Sequence, residues 1–157
     1  MTFVNTSLGI QILSEIEKRK GELVRRAETF VITSKIFELE DFGKSQLNNL
    51  LGIAIREFDM AVIINFIRYQ IGRDKRERDK WAYETGNPSR TIGDQLILEI
   101  EKIKHEMALP VLHGFAESSL GEQEKAQRLT EIHSHLTRLF LGYIKRAYTY
   151  YEAFPPR

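Results

Sequence analysis

The chain has 157 residues, 42% of them apolar and 29% charged, with 23 Lys and Arg set against 22 Asp and Glu. That length and balance describe a globular chain able to bury a core, and they exclude a low-complexity disordered protein or a polycation. Any affinity for phosphate must therefore come from a local cluster. The absence of cysteine removes disulfide frameworks, thiolate metal sites and cysteine nucleophiles together, and fits a reducing cytoplasm. The opening MTFVNTSLGIQIL has no basic segment and carries polar residues through its apolar part, so it does not read as a signal peptide. The most apolar stretch, 60–67, is too short to span a bilayer. A cytoplasmic protein without membrane association is expected.

Helical periodicity dominates, and no period-2 strand stands out. A first helix is predicted over about 8–29, with Ile10, Leu13, Ile16 and Leu23 on one side and Glu17, Lys18, Arg19 and Lys20 opposite. A second is expected to start at Thr33-Ser34, whose hydroxyls can cap it, and to pass through Ile36, Phe37 and Leu39 to a break at Gly43. The third, KSQLNNLLGIAIRE, is apolar over most of its circumference and is expected to be central. Asp59 then caps a fourth helix that opens MAVIINFIRYQIG. The run ETGNPSR carries turn chemistry, with Asn87-Pro88 as the clearest break in the chain. Thr91 and Asp94 form a capping box for a fifth helix, which is expected to stop at Pro110. A sixth, about 122–153, lines up Leu129, Ile132, Leu136, Leu139, Phe140, Tyr143, Ile144, Ala147 and Tyr151. The expectation is an all-α, single-domain helical bundle of about five or six helices over residues 1–157, with 84–91 as a mobile loop.

Motifs for chemistry are sparse. His133 and His135 lie about 200° apart on a helix, so they do not chelate one metal from one face. No histidine has a glutamate three residues before it, as di-iron bundles require. Nucleophile-elbow, P-loop and dinucleotide glycine patterns are missing. Glu38, Glu40 and Asp41 read as a solvated helix end. Glu99, Glu101 and Glu106 read as the outer face of an amphipathic helix, with Lys102 three after Glu99. No catalytic residue, metal site or cofactor is expected.

The charged run after the fourth helix is the best remaining candidate. From Arg68 to Lys80 there are six basic residues (Arg68, Arg73, Lys75, Arg76, Arg78, Lys80) and three acidic ones. At about 100° per residue, Met60, Ile63, Ile64, Ile67 and Ile71 form a core face. Val62, Phe66 and Tyr69 fall on another side, and Arg73, Arg76 and Lys80 continue that line. On composition alone, a solvated and partly salt-bridged face is the leading reading. The alternative is an edge that contacts nucleic-acid phosphates, with Tyr69, Trp81 and Tyr83 available for stacking. A second basic-aromatic patch places Lys145 and Arg146 among Tyr143, Tyr148, Tyr150 and Tyr151, more aromatic surface than one small core needs.

Three segments resemble one family. VITSKIFEL is similar to the early Thr-Ser-x-Ile motif of the small subunits of type III CRISPR effector complexes, through Thr33, Ser34 and Ile36. INFIRYQIGRDK is similar to their central Tyr-x-x-x-Arg helix, through Tyr69 and Arg73. FLGYIKRAYTYYEAF resembles their tyrosine-rich C-terminal helix with its basic pair, Lys145 and Arg146. Together these segments cover about a quarter of the chain. Where the family often has an arginine after the first motif, this chain has Phe37, leaving Lys35 as the nearest cation. The resemblance implies a non-catalytic structural subunit in antiviral defence, stacking with copies of itself and with other effector subunits. It also implies contacts to the guide RNA–target RNA duplex through phosphates. The expected contact residues are Lys35, Arg68, Arg73, Lys75, Arg76, Arg78, Lys80, Lys145 and Arg146. The rivals are a helical protein–protein adaptor, a helix-turn-helix DNA-binding protein and a helical-bundle hydrolase with dispersed carboxylates.

Overall fold

The computed structural model describes residues 7–39, 43–75, 80–85, 90–115 and 120–157. These residues form an all-α bundle with six α-helices among them: α1 (Ser7–Ser34), α2 (Gly43–Arg56), α3 (Met60–Asp74), α4 (Ile92–Ile103), α5 (Leu109–Phe115) and α6 (Glu122–Ala153). Short 3-10 turns at Ile36–Glu38 and Lys80–Ala82 follow α1 and α3. Among the described residues there is no strand, only an isolated bridge between Glu84 and Thr91.

α6 is the spine, and its most extensive partner is α1. The two run parallel. Glu17 and Lys20 lie near His135, whereas Phe37, just beyond α1, meets Tyr151 near the other end of α6. α2 runs the opposite way along α6, because Leu39 before it lies near Tyr148 and its last turn meets Arg138. α3 and α4 are antiparallel, with Gly93 of α4 packed on Ile71 and Ile67 of α3. One apolar cluster draws on all six helices, with Leu23, Leu50, Ile63, Ile100, Leu136 and Phe140 fully buried.

Four sequence-based expectations need correction. α1 buries Ile12, Ile16, Leu23, Ala27, Phe30 and Val31, while Ile10 is 62% exposed. The inward stripe is therefore the one through Ile12 and Ile16. No second helix starts at Thr33-Ser34. α1 runs through both, and Lys35 in the left-handed conformation (φ 56°) ends it. Ser34 Oγ accepts from the Ile36 N–H as the chain turns, so the hydroxyl closes one helix rather than opening another.

α2 is not enclosed on all sides: Leu47, Leu50 and Ala54 face the core and Ile55 is 66% exposed. Nor does Pro110 stop the helical run. A π turn over Lys104–Ala108 precedes it, with the Leu109 N–H donating to the Lys104 carbonyl five residues back. This wider turn takes the carbonyls out of the i−4 register, which accommodates a residue with no N–H and a bulky ring, and α5 continues through it.

Other local signals are met. The Asp59 carboxylate accepts from the Ala61 N–H at 2.9 Å and caps α3. Thr91 and Asp94 form the expected capping box. Both ends of the 84–91 segment are tied down. The Thr85 N–H donates to the Arg90 carbonyl, Ile92 to Tyr83, and the Gln95 amide to the Thr85 hydroxyl at 2.7 Å. Residues 86–89 of the segment expected to be mobile lie outside the described residues, as do Glu40 and Asp41.

Candidate nucleic-acid interface

α3 is amphipathic in a specific way. Its inner side buries Met60, Ile63, Ile64 and Ile67, with Gln70 and Asp74 also buried. Its outer side exposes Ala61, Val62, Asn65, Arg68, Tyr69, Gly72 and Arg73, continued by Lys75 just past the helix end. The acid on this helix, Asp74, is turned inward and only 4% exposed. The solvent face from Ala61 to Lys75 thus bears cations and no carboxylate. Arg73 Nε donates to Asp74 Oδ1 at 3.1 Å, which holds the guanidinium through one of its N–H groups while the side chain stays exposed. Tyr69 is 63% exposed beside these cations, and Gly72 leaves open space on the same face.

The two described members of the expected stripe Arg73–Arg76–Lys80, Arg73 and Lys80, do not lie on one helix. α3 ends at Asp74, and Lys80 sits in a left-handed conformation (φ 52°) opening the turn Lys80–Ala82, where it is half-buried. Helical projection fails there because the helix has already stopped. Arg76 and Arg78 lie outside the described residues. Trp81 is no stacking platform: it is fully buried, and its indole N–H donates to Gln46 Oε1 at 3.2 Å. Tyr83 is half-buried against the core.

The second patch lies at the far end of α6. Arg146 is exposed with its guanidinium 5.7 Å from the Tyr143 ring centroid, and Lys145 is half-buried. The tyrosines divide by role. Tyr148 is fully buried and its hydroxyl donates to Glu152 at 2.9 Å. Tyr150 is exposed and packs edge-on against Tyr151 at 5.1 Å and beside Phe154 at 5.5 Å. Lys35 is exposed on the turn where Phe37 reaches Tyr151. Apart from Lys80, the described contact residues therefore fall into two groups, Arg68 and Arg73 on α3 with Lys75 just past its end, and Lys145 and Arg146 on α6 with Lys35 on the turn after α1. No hydrogen bond or ion pair among the described residues joins the groups.

His133 is buried, where its Nε2–H donates to the Ile100 carbonyl at 2.8 Å. Burial chiefly holds its pKa below the ordinary value, partly opposed by that backbone bond, and burial also lowers His135. Among the described residues, no group of three or more His, Asp or Glu could hold a metal ion, and no helix is long and apolar enough to cross a membrane.

Some polar residues were not legible from spacing. Arg138 donates through Nε to the Ala54 carbonyl at 2.8 Å and through Nη2 to the Glu57 carbonyl at 3.3 Å, closing the end of α2. Arg26 links Glu22, four residues earlier, to Glu106 across the bundle at 2.7 Å. The first half of that bridge has an i,i+4 signal in the sequence; the second does not. Comparison of the chain with protein-family models, with curated proteins and with solved structures gives no match.

Proposed function

We propose that the chain is a non-catalytic structural subunit of a type III CRISPR ribonucleoprotein that contacts the backbone of its guide RNA–target RNA duplex. The observation that carries this reading is the outer face of α3, where Arg68, Arg73 and Lys75 stand with Tyr69 and no exposed acid. Cations on a rigid helix can engage phosphates without reading bases. Gly72 keeps the surface between them low, so that a backbone can approach closely. The exposed Tyr150 and Phe154 at the end of α6 supply aromatic surface of the kind that protein neighbours cover. The resemblance through Tyr69, Arg73, Lys145 and Arg146 names the assembly.

The test is retention of RNA by the full chain across a salt series. Binding is expected to be independent of base sequence and to weaken steeply with salt. Arg68→Glu with Arg73→Glu is expected to lower the log–log slope by roughly one per lost contact. Unchanged slope and affinity in that variant would overturn the assignment.

One observation favours a second reading. α2 and α3 are joined by three residues, Glu57 to Asp59, a connection short enough for a helix-turn-helix protein. A recognition helix presents its base-reading side chains near its N-terminus. On α3 the exposed residues there are Ala61, Val62 and Asn65, and the cations lie in its second half. That distribution suits phosphate contact better than base readout. Sequence-specific capture of duplex DNA would favour the second reading.

A further inference from the structure

A cleft of about 570 Å3 opens between α1 and the start of α4, and none of its lining residues belongs to either basic-aromatic surface. Its size falls in the range of small-molecule sites, roughly 300–1,000 Å3. Arg25 and Arg26 enter it from α1, and Arg90 enters from the residue before the α4 cap. Two carboxylates also line it, but both are already engaged. Glu22 receives Arg26 at 3.1 Å, and Glu99 pairs with Lys102 at 3.5 Å. Arg26 is held from its other side by Glu106 at 2.7 Å, so its charge is fixed in the wall. Arg25 and Arg90 are exposed, and neither side chain forms an ion pair with a described residue. The cleft is therefore lined by two exposed arginines outside those pairs, Arg25 on α1, whose guanidinium lies beside Gly21 one turn earlier, and Arg90 just ahead of α4.

We propose that this cleft binds a phosphate monoester of nucleotide size, its phosphate taken by Arg25 and Arg90. Two planar forks match the several oxygens of a terminal phosphate better than a single-charge carboxylate. The Thr29 hydroxyl on the α1 wall adds a neutral donor. The Gln95 amide nitrogen is committed to Thr85 at 2.7 Å, which turns its oxygen into an acceptor for a ligand hydroxyl or amino group. Phe30 and Leu98 provide apolar wall for the rest of the ligand. The phosphate can come from a free mononucleotide or from the end of an RNA strand; the chemistry of the cleft is the same for both. The inference does not rest on the α3 surface.

Calorimetric titration of the full chain with AMP, with adenosine, and with a short oligoribonucleotide carrying either a 5′-phosphate or a 5′-hydroxyl tests it. AMP is expected to bind and adenosine not. Arg25→Gln and Arg90→Gln are each expected to weaken AMP about 10–100-fold, the loss of one or more charge-assisted hydrogen bonds. Arg56→Gln, at an exposed position outside the cleft and both basic surfaces, is expected to leave AMP affinity unchanged. Because Arg25 and Arg90 are exposed, both variants are expected to keep the unfolding temperature of the parent chain. A 5′-phosphorylated strand that binds more tightly than AMP, and loses that advantage in Arg90→Gln, identifies a strand end as the source. A strand that binds no better than AMP identifies a free nucleotide. No heat with AMP at about millimolar concentration, adenosine binding as well as AMP, or undiminished AMP binding by both arginine variants would overturn the proposal.

Discussion

Replacing Arg138 with Met removes the clamp at the corner between α2 and α3 while keeping much of the side chain's apolar length. In the parent chain the half-buried guanidinium donates to the Ala54 carbonyl at 2.8 Å and to the Glu57 carbonyl at 3.3 Å, and lies 5.9 Å from the Phe58 ring centroid. These carbonyls close a helix C-terminus, where a cation also meets the negative end of the helix dipole. A charge-assisted bond of the shorter length contributes about 1.5–3 kcal/mol, and the longer one belongs at or below the bottom of that range. The exposed Phe58 contact adds little. The combined loss is about 2–4 kcal/mol, because water can reach part of the corner once the arginine is gone. For a chain of this size that corresponds to a fall in unfolding temperature of roughly 5–15 °C, followed by circular dichroism at 222 nm. Hydrogen exchange is expected to quicken first in the last turn of α2. Arg138→Lys keeps the charge but not the fork, and is expected to fall between the parent and the Met variant. An unfolding temperature within about 2 °C of the parent for Arg138→Met, or a Lys variant as damaged as the Met one, would refute the reasoning.

Other consequences follow from packing and burial. A Cβ added at Gly93 would sit 2.5 Å from Ile71 Cγ1 and 3.2 Å from Ile67 Cγ2, so Gly93→Ala is expected to destabilise by about 1–2 kcal/mol despite the helix-favouring methyl. The same change in an Ile71→Ala background is expected to cost less, a coupling measured by urea unfolding of the four chains; an additive pair would contradict it. His133 has a folded-state pKa below its ordinary 6.5, so the unfolded chain takes up more protons as the pH falls. The stability contributed by the neutral ring is complete above about pH 6.5 and is lost on acidification. The urea midpoint is accordingly expected to drop between about pH 7.5 and 5, and to drop less in His133→Gln; equal pH dependence of the two chains would exclude this source.

The readable parts of this fold were those encoded by neighbours in sequence. Asp59 two residues before Ala61, Thr91 three before Asp94, and the inward line from Leu129 to Tyr151 all act within one helix, where 3.6-residue geometry holds. The expectation of α3's two faces rests on the same geometry: Ile63, Ile64 and Ile67 lie inside and Val62 and Tyr69 outside as expected, whereas Phe66, expected beside Tyr69, is half-buried against the core. Errors arose where that geometry ends. Lys35 and Lys80 both adopt the left-handed conformation with non-glycine side chains, which local propensity does not favour, so neither break was visible. Projecting the basic stripe through residue 80 assumed a helix that stops at Asp74. The π turn before Pro110 and the Arg138 clamp are tertiary events, and nothing adjacent in sequence marks them. The candidate surface was half legible for the same reason: Arg68, Arg73 and Lys75 follow from α3, while the burial of Trp81 depends on Gln46, 35 residues away.

We propose that this bundle works inside an RNA-guided particle, contacting the RNA backbone through the outer face of α3. Affinity purification of the tagged full chain from its native host, with sequencing of the RNA that accompanies it, tests that claim most directly. Recovery of large effector subunits with a ladder of short guide RNAs is the predicted result, reduced in the Arg68→Glu, Arg73→Glu chain. Recovery of the chain alone, with no short RNA above background, would contradict it.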